Sequence, residues 1–221
     1  MYDVICYMYD VRCYKFKDMK KSLFAVMCVV ALAACNSATT MNNEVNNAAN
    51  PAIENIMTRV SVREFTGELI SQEQIDTLLR AAMAAPSALN HQPWAFIVVT
   101  DRAVLDQIGA QLPYSRCANN PACAIVPCGD LTKAIEGEGQ NFWINDVSAA
   151  TENLLLAAHA MGLGAVWTGI HPGQERVTIL KEILALPEHI IPLCVVPVGV
   201  PAEQPEVKNK YKEENIHYNK W

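Results

Sequence analysis

Helix-type and strand-type segments alternate along the chain from Pro51 to the C-terminus, and this alternation restricts the possible folds more than any other feature. Apolar residues recur at helical spacing in four stretches, and short apolar runs typical of buried strands lie between and beyond them. Helices are predicted between Ser71 and Pro86, from Asp101 onward, over 144–161 and over 174–184; strands are predicted over 94–99, 124–128, 165–168 and 190–198. The sequence has no internal repeat, so the pattern predicts a single α+β domain built in layers.

Local signals mark where two of the helices begin and end. Ser71 and Gln74 form a capping box, and Pro86 ends the helix that starts there. Glycines at 162 and 164 close the longest helix. The predicted inner face of this helix consists mostly of small residues: Ala149, Ala150, Asn153, Leu154, Ala157 and Ala158. Such a face permits close helix–helix approach, either within the chain or across a dimer.

The composition excludes several classes of protein. Of the 221 residues, 51% are hydrophobic and 18% are charged, which excludes a disordered or fibrous chain and allows a sizeable core. The formal net charge of −6 argues against a nucleic-acid binder that works through a basic surface. Four of the eight cysteines lie in the first 35 residues, and the other four are too few for a disulfide-stapled scaffold of this length.

The N-terminal region is predicted to be a leader rather than part of the fold. Residues 19–35 read MKKSLFAVMCVVALAAC, with two lysines, an apolar run and small residues before Cys35. The run of about 12 residues is too short for a bilayer core of about 30 Å and matches a secretory signal. Its end resembles a bacterial lipobox, which implies cleavage before Cys35 and lipidation of that residue. The alternative is a short buried helix that ends in a cysteine.

This interpretation divides the chain into four parts. Residues 1–18 are predicted to be an extension upstream of the true start at Met19, 19–35 a lipoprotein signal peptide, 36–50 a flexible tether, and 51–221 the folded domain. The protein is then expected to be exported and anchored in the periplasm or at the outer membrane. If the leader is not used, it is expected in the cytoplasm.

Three segments place polar residues where a core would not use them. Arg59, Ser61 and Arg63 lie on alternate positions, and paired guanidinium groups suit a phosphate, although a solvated helix face could carry the same pattern. Residues 85–94 (APSALNHQPW) form a rigid loop rich in hydrogen-bonding groups. Residues 162–170 (GLGAVWTGI) have glycines around a strand, either for a flat ligand or as simple caps. The sequence contains no nucleophile–base arrangement and no metal-ligand spacing, so no catalytic side chain and no metal are predicted.

In this order and spacing, the three segments together resemble the nitroreductase-like family of FMN-dependent NAD(P)H oxidoreductases. The resemblance continues through residues 142–146 (FWIND), 192–199 and 217–221 (HYNKW), and covers the chain from Ile53 to the C-terminus. It implies a three-layer α+β fold in which helices flank a central, mostly antiparallel sheet. It also implies an intertwined homodimer with two FMN sites at the subunit interface.

The resemblance implies roles for individual residues. Arg59 and Ser61, with Val60 between them, match the phosphate and ribityl contacts, and Arg63 matches the cation at the pyrimidine edge of the flavin. The loop that the partner chain lays against the ring matches Pro86, Ser87, Ala88 and Asn90, with Gln92 behind. The other matches are Thr168 and Gly169 at the N5 edge, Lys208 and Lys210 at the phosphate, and Arg116 near a position that often carries a basic flavin contact. Lys210 departs from the arginine common in the family, which weakens bidentate phosphate binding slightly.

The activity that the resemblance implies has two steps. NAD(P)H passes a hydride to flavin N5 and leaves, and an electron-poor acceptor such as a nitroaromatic or a quinone then takes its place, in a ping-pong mechanism. A cation near flavin N1 and O2 favours the reaction because negative charge develops there. The alternatives are a flavoprotein of the same fold with other chemistry, such as dehalogenation or electron transfer from a membrane partner, and a non-catalytic, surface-anchored binding lipoprotein.

The cysteines of the domain are expected to behave in two ways. Cys117 and Cys123 either form a disulfide in an oxidising compartment or remain reduced, because spacing alone does not fix the distance between their Cα atoms. Cys128 and Cys194 lie in apolar runs and are predicted to be small buried hydrophobic residues.

Overall fold

The structure, a computed structural model, describes residues 50–112 and 120–221. The predicted leader and almost all of the predicted tether lie outside these residues, as do Arg116 and Cys117. The α-helices are α1 (Pro51–Thr58), α2 (Gln72–Met83), α3 (Arg102–Gln111), α4 (Phe142–Ala160) and α5 (Gln174–Leu184). The strands are β1 (Trp94–Val99), β2 (Cys123–Asp130), β3 (Gly164–Ala165), β4 (Thr168–Gly169), β5 (Ile190–Pro192) and β6 (Cys194–Gly199).

Helices α2, α3, α4 and α5 confirm the predicted helices, and α1 was not predicted. The capping box at the start of α2 is present: Gln74 N–H donates to the Ser71 hydroxyl, and Ser71 N–H donates to the Gln74 side chain. Asn50 caps α1 through its side chain, which accepts from Ala52 N–H. Helix α1 has eight residues and none is buried, so it is too short for a periodic pattern to distinguish it from the preceding segment.

The strands form one antiparallel sheet around β2. Strand β1 pairs with one side of β2, and β5 and β6 pair with the other side. Strands β3 and β4 pair with the far side of β6. All pairings among the described strands are antiparallel, which confirms the predicted sheet.

Two predicted strands are each interrupted, for identifiable reasons. The run 190–198 divides at Leu193, where the register against β2 shifts by one residue, as at a β-bulge, and Leu193 N–H donates to Pro127 O. The run 165–168 divides at residues 166–167, although β3 and β4 keep the same register against β6. In that register Val166 would face Pro197, which has no N–H to donate.

Alternate residues of β2 face two different cores, so the fold has three layers. Cys123 and Ile125 pack in a core with α2 and α4. Ala124, Val126 and Cys128 pack in a second core with α3 and α5. The period of two along a strand that is buried on both faces therefore places a pair of helices on each side of the sheet.

The buried face of α4 differs from the predicted one. Ala150, Leu154 and Ala158 are buried as expected, but the predicted Ala149, Asn153 and Ala157 are only half-buried. Two polar residues, Asp146 and Thr151, are buried instead. The hydroxyl of Thr151 donates to Val147 O one turn earlier at 2.7 Å, so it is satisfied within the helix.

Cys123, Cys128 and Cys194 are free, buried thiols, which confirms the prediction for Cys128 and Cys194. Burial raises the pKa of Cys123 to about 11 and that of Cys128 to about 12, and it also raises the pKa of Cys194. Because the thiolate is the reactive form, all three side chains are chemically inert at neutral pH. Within 50–112 and 120–221, no helix combines the length and the hydropathy that a membrane crossing requires.

Candidate functional site

The Arg59–Arg63 segment leaves α1 as extended chain and is fixed against β3. Val62 N–H donates to Ala165 O at 3.1 Å, and the Val62 side chain is buried. Alternation along extended chain therefore turns Ser61 and Arg63 away from the core. Gly164 allows this close packing, because a Cβ there would lie 2.6 Å from Val62 Cγ1.

The chain beyond β6 runs back along this segment. Thr66 N–H donates to Val200 O and Ala202 N–H donates to Glu64 O, in an antiparallel arrangement. Continued in the same direction, the chain brings residues 205–210 beside residues 60–63. The result is a pocket of about 260 Å³ that is lined by Val60, Ser61, Arg63, Pro205, Glu206, Lys208 and Lys210.

This pocket gathers three cations, Arg63, Lys208 and Lys210, against one carboxylate, Glu206. No carboxylate among the described residues lies within ion-pair distance of Arg63, Lys208 or Lys210. Uncompensated cations beside a hydroxyl form a binding site for an anion such as a phosphate group. The structure thus brings together residues that the sequence places about 145 positions apart.

Arg59 is held differently from Arg63. Its Nε donates to Glu152 Oε1 of α4 at 3.1 Å, and its side chain is only 17% exposed. Its terminal guanidinium nitrogens are the donors that could contact a ligand. Arg59 lines a neighbouring groove of about 750 Å³ that shares Lys208 and Lys210 with the cationic pocket.

The loop between α2 and β1 has a strained backbone. Leu89, Asn90 and Gln92 have positive φ angles of 51°, 59° and 50°. Such angles are uncommon for residues other than glycine and persist only where surrounding contacts hold them. The loop is closed by a hydrogen bond of 2.9 Å from Gln92 N–H to the Ser87 hydroxyl.

Two contacts fix this loop to the body of the domain. Ala88 N–H donates to Asp146 Oδ1 of α4 at 2.8 Å. His91 Nδ1 donates to Lys133 O, in the turn after β2, at 3.0 Å. Neither Asp146 nor Lys133 was predicted as part of the site. Asp146 could have been found, because it falls on the same helical face as Ala150 and Leu154, where a carboxylate is unusual.

Thr168 and Gly169 form β4 at the edge of β6. The Thr168 hydroxyl donates to Val195 O at 2.7 Å, so the side chain is bonded to the neighbouring strand β6. Gly169 has open space where a Cβ would stand, which is the condition for a flat ligand to approach the backbone. This geometry fits the predicted role of the segment, in which its backbone rather than a side chain contacts the ligand.

The predicted site residues fall into two groups within one chain. Val60, Ser61, Arg63, Lys208 and Lys210 share the cationic pocket, and Arg59 lies beside it. The 86–92 loop, Thr168 and Gly169 do not line that pocket. Its volume suits a phosphate and sugar rather than a complete drug-sized ligand, for which sites of about 300–1,000 Å³ are usual. The described residues contain no cluster of side chains that could hold a metal ion.

Comparisons with known proteins agree with the resemblance noted in the sequence. The model of the Nitroreductase family matches residues 56–113 and 112–200. A protein of Methanothermobacter thermautotrophicus named NADH dehydrogenase/NAD(P)H nitroreductase is 42% identical over 170 residues, which are 76% of this chain and 87% of that protein. The crystal structure of a protein of the same name from Parabacteroides distasonis is 47% identical with a TM-score of 0.74, covering 78% of this chain and 99% of that one.

Among the solved structures similar to this chain is one that contains FMN. It is a nitroreductase from Desulfovibrio desulfuricans in complex with FMN, 29% identical to this chain. Its TM-score is 0.66, and the match covers 78% of this chain and 98% of that chain.

Proposed function

Since the chain belongs to the nitroreductase family, we propose that it passes hydride from NAD(P)H through FMN to an electron-poor acceptor such as a nitroaromatic or a quinone. It is an NAD(P)H-dependent flavin oxidoreductase with FMN as its cofactor. The observation that carries the proposal is the pocket in which Ser61, Arg63, Lys208 and Lys210 converge, and in which the three cations form no ion pair with any residue that the structure describes.

The residues present fit FMN at both of its ends. Lys208, Lys210 and the Ser61 hydroxyl would hold the phosphate and the adjoining sugar chain, Arg63 would face the pyrimidine edge of the ring, and the open space at Gly169 would admit its N5 edge. When bound, FMN supplies the redox chemistry, which needs no acid, base or nucleophile from the protein. The contribution of the chain is to bind, to orient and to place positive charge. Because donor and acceptor would use one face of the same site in turn, the expected kinetics are ping-pong.

Members of the family are typically homodimers, and we propose the same assembly here, with each FMN site built from two chains. Two features support it. The 86–92 loop is rigid and polar but does not line the cationic pocket of its own chain. The exposed apolar side chains of the C-terminal segment, such as Tyr218 and Trp221, also offer a surface for a second chain.

The cofactor proposal is tested with the purified protein and two glycine variants. Wild-type protein should be yellow and release about one FMN per chain. Gly169→Ala and Gly109→Ala both add a Cβ where the chain leaves open space, so both should fold. Only Gly169→Ala should weaken FMN binding, by about tenfold or more, because its methyl group fills space that the ring would use. A colourless wild-type protein that cannot be reconstituted with FMN would refute the proposal.

The acceptor is tested separately from the cofactor. Rapid-mixing experiments should show NAD(P)H bleaching the bound flavin without acceptor, and a nitroaromatic or quinone restoring its colour after NAD(P)H has been removed. Parallel reciprocal plots would support the ping-pong order, whereas intersecting lines would indicate a ternary complex and contradict it.

We further propose that the protein is a lipoprotein anchored through Cys35. The support is the sequence of residues 19–35, in which a basic start, an apolar run and a small-residue box precede the cysteine. Several acyl chains give stable membrane anchoring, whereas one chain gives only marginal binding. Wild-type protein should fractionate with membranes, and Cys35→Ser should be unprocessed or released. Mass spectrometry that finds an unmodified chain starting at Met19 would contradict the proposal.

A further inference from the structure

The buried carboxylate of Asp146 stands out on the inner face of α4. Its exposed fraction is 6%, and its helical neighbours on that face are Ala150 and Leu154. Among the described residues, no Lys, Arg or His lies within ion-pair distance of it. Burying a carboxylate without a cation is unfavourable unless hydrogen bonds to the protein stabilise the charged form.

The hydrogen bond that Asp146 makes is to the strained loop. Its Oδ1 accepts from Ala88 N–H at 2.8 Å, across 58 positions of sequence. Other loop amides have partners inside the loop: Asn90 N–H donates to Ser87 O, and His91 N–H donates to Ala88 O. The Ala88 amide points to α4 instead, so Asp146 fixes the point at which the chain enters the left-handed residues Leu89 and Asn90.

The other end of the loop is held at the turn that follows β2. His91 Nδ1 donates to Lys133 O, and the Lys133 ammonium pairs with Asp130 Oδ2 at 3.1 Å. Burial acts to raise the pKa of Asp130, but hydrogen bonds from Thr132 and Lys133 outweigh it and hold that pKa below its usual value. The loop is therefore attached at two points, to α4 at Ala88 and to the turn after β2 at His91.

We propose that Asp146 is a positioning residue for the flavin site: its carboxylate holds Ala88, and with it Ser87 and Asn90, in the one conformation that meets the ring. The inference rests on the proposed function for its ligand, but the contact itself belongs to this chain. A hydrogen bond to a carboxylate is stronger than one to a neutral acceptor, which offsets the tendency of the left-handed residues to relax.

Three variants of the full-length protein separate positioning from plain stability. Asp146→Ala removes the acceptor, Asp146→Asn keeps the shape and an acceptor oxygen but not the charge, and Thr151→Ala is the matched control. Thr151 is also a buried polar residue of α4, but its hydroxyl bonds to Val147 O and contacts Cys194 Sγ of β6, and it does not contact the loop in the described structure. Each variant is examined without FMN by amide hydrogen exchange over residues 87–92, and then by FMN titration and by the visible circular dichroism of the bound flavin.

Asp146→Ala should raise loop exchange and the dissociation constant for FMN, each by about tenfold, and alter the flavin circular dichroism. Asp146→Asn should recover most of the loop protection and most of the FMN affinity. Thr151→Ala should lower thermal stability but leave loop exchange and FMN affinity unchanged. The inference is overturned if loop exchange in Asp146→Ala equals that of the wild type, if Asp146→Asn is as defective as Asp146→Ala, or if Thr151→Ala has the same effects. If Asp146→Ala does not fold, Asp146→Asn becomes the test, and it should show slightly faster loop exchange and slightly weaker FMN binding. Exchange and affinity equal to those of the wild type would then overturn the inference.

The failure of the proposed function would look different. If wild-type protein bound no FMN, the flavin assignment would be wrong, while loop exchange in the FMN-free variants would still decide whether Asp146 positions the loop.

Discussion

The two arginines of the Arg59–Arg63 segment have different partners, and this difference separates structural from ligand-binding charge. Arg59 is paired with Glu152, whereas Arg63 is exposed and is unpaired within the described part of the chain. Removal of Arg59 would leave Glu152 without its cation and disturb the packing of α1 on α4. Arg63 makes no such ion pair with a described residue, so its replacement tests the ligand site without disturbing the packing of the helices.

Arg63→Ala should leave the fold intact and weaken FMN binding. The loss of a charge-assisted contact costs about 1.5–3 kcal/mol, or roughly ten- to a hundredfold in affinity. The bound flavin should also become harder to reduce, because the developing negative charge loses a nearby cation. Titration and redox potentiometry measure the two effects. Arg80→Ala, which removes an exposed arginine of α2, is the control; wild-type affinity and potential in Arg63→Ala would show that this arginine does not face the flavin.

His171 makes the stability of the domain depend on pH. Its Nδ1 is buried without a hydrogen-bond partner in the described structure, and its ring packs edge-on against Trp143 with centroids 5.1 Å apart. Burial lowers the pKa of His171 below the ordinary value of a histidine. The folded state therefore favours the neutral ring. The stabilisation is fully present above about pH 6.5 and is lost as the pH falls through the lower folded-state pKa.

Replacement of His171 should remove this part of the pH dependence. His171→Phe keeps an aromatic ring against Trp143 but cannot take up a proton. Its free energy of unfolding should fall less than that of the wild type between about pH 7 and pH 5. Denaturant unfolding at several pH values is the measurement, and His189→Phe, which replaces an exposed histidine, is the control. Equal slopes for His171→Phe and the wild type would contradict the assignment.

The packing of α4 on the sheet depends on a glycine in β2. A Cβ at Gly129 would lie 2.3 Å from Trp143 Cε3, far inside contact distance, so α4 can approach the strand only because residue 129 has no side chain. Trp143 in turn supports His171 and stands one turn before Asp146. The same contact thus positions both the helix and the residue that holds the 86–92 loop.

Two glycine-to-alanine variants should change stability in opposite directions. Gly129→Ala should destabilise the domain by about 1–3 kcal/mol, since Trp143 must move. Gly109→Ala, inside α3 with open space around it, should stabilise the domain by about 0.5–1 kcal/mol, because alanine loses less backbone entropy in a helix. Urea unfolding measures both. A neutral Gly129→Ala would mean that α4 and β2 are not in this contact.

At the level of the assembly, the C-terminal segment is the longest exposed stretch of the chain that the structure describes. Every residue from 206 to 221 is exposed, including Val207, Tyr211, Ile216, Tyr218 and Trp221. Large apolar side chains so concentrated mark an interaction surface. We expect them to cover a second copy of the chain in the proposed homodimer.

Tyr218→Glu combined with Trp221→Glu should convert the dimer to monomers at micromolar concentration and release FMN, because two buried charges would oppose the contact. Sedimentation velocity and flavin absorbance measure both effects. Gln107→Glu, an added charge on the exposed side of α3, should change neither. Wild-type protein that sediments as a monomer with FMN bound would exclude an interface site.

The sequence was sufficient for the kind and order of the principal elements, because periodicity, caps and breakers are local properties of the chain. The Ser71–Gln74 box, the β1 strand and the limits of α5 followed from neighbouring residues. The motifs around Ser61, Asn90 and Gly169 also placed the chain in its family, because short motifs in a fixed order can be recognised without knowledge of the tertiary contacts.

Contacts between distant residues determined the rest. The interruption of the sheet opposite Pro197 depends on which residue faces it, and the convergence of Arg63 with Lys208 depends on the return of the chain after β6. Asp146 entered the sequence analysis only as part of the 142–146 segment of the family resemblance, and the structure shows it as a buried anchor for Ala88. Burial and pairing are set by what packs against a residue, and a one-dimensional pattern carries that information only where the partner is close in sequence.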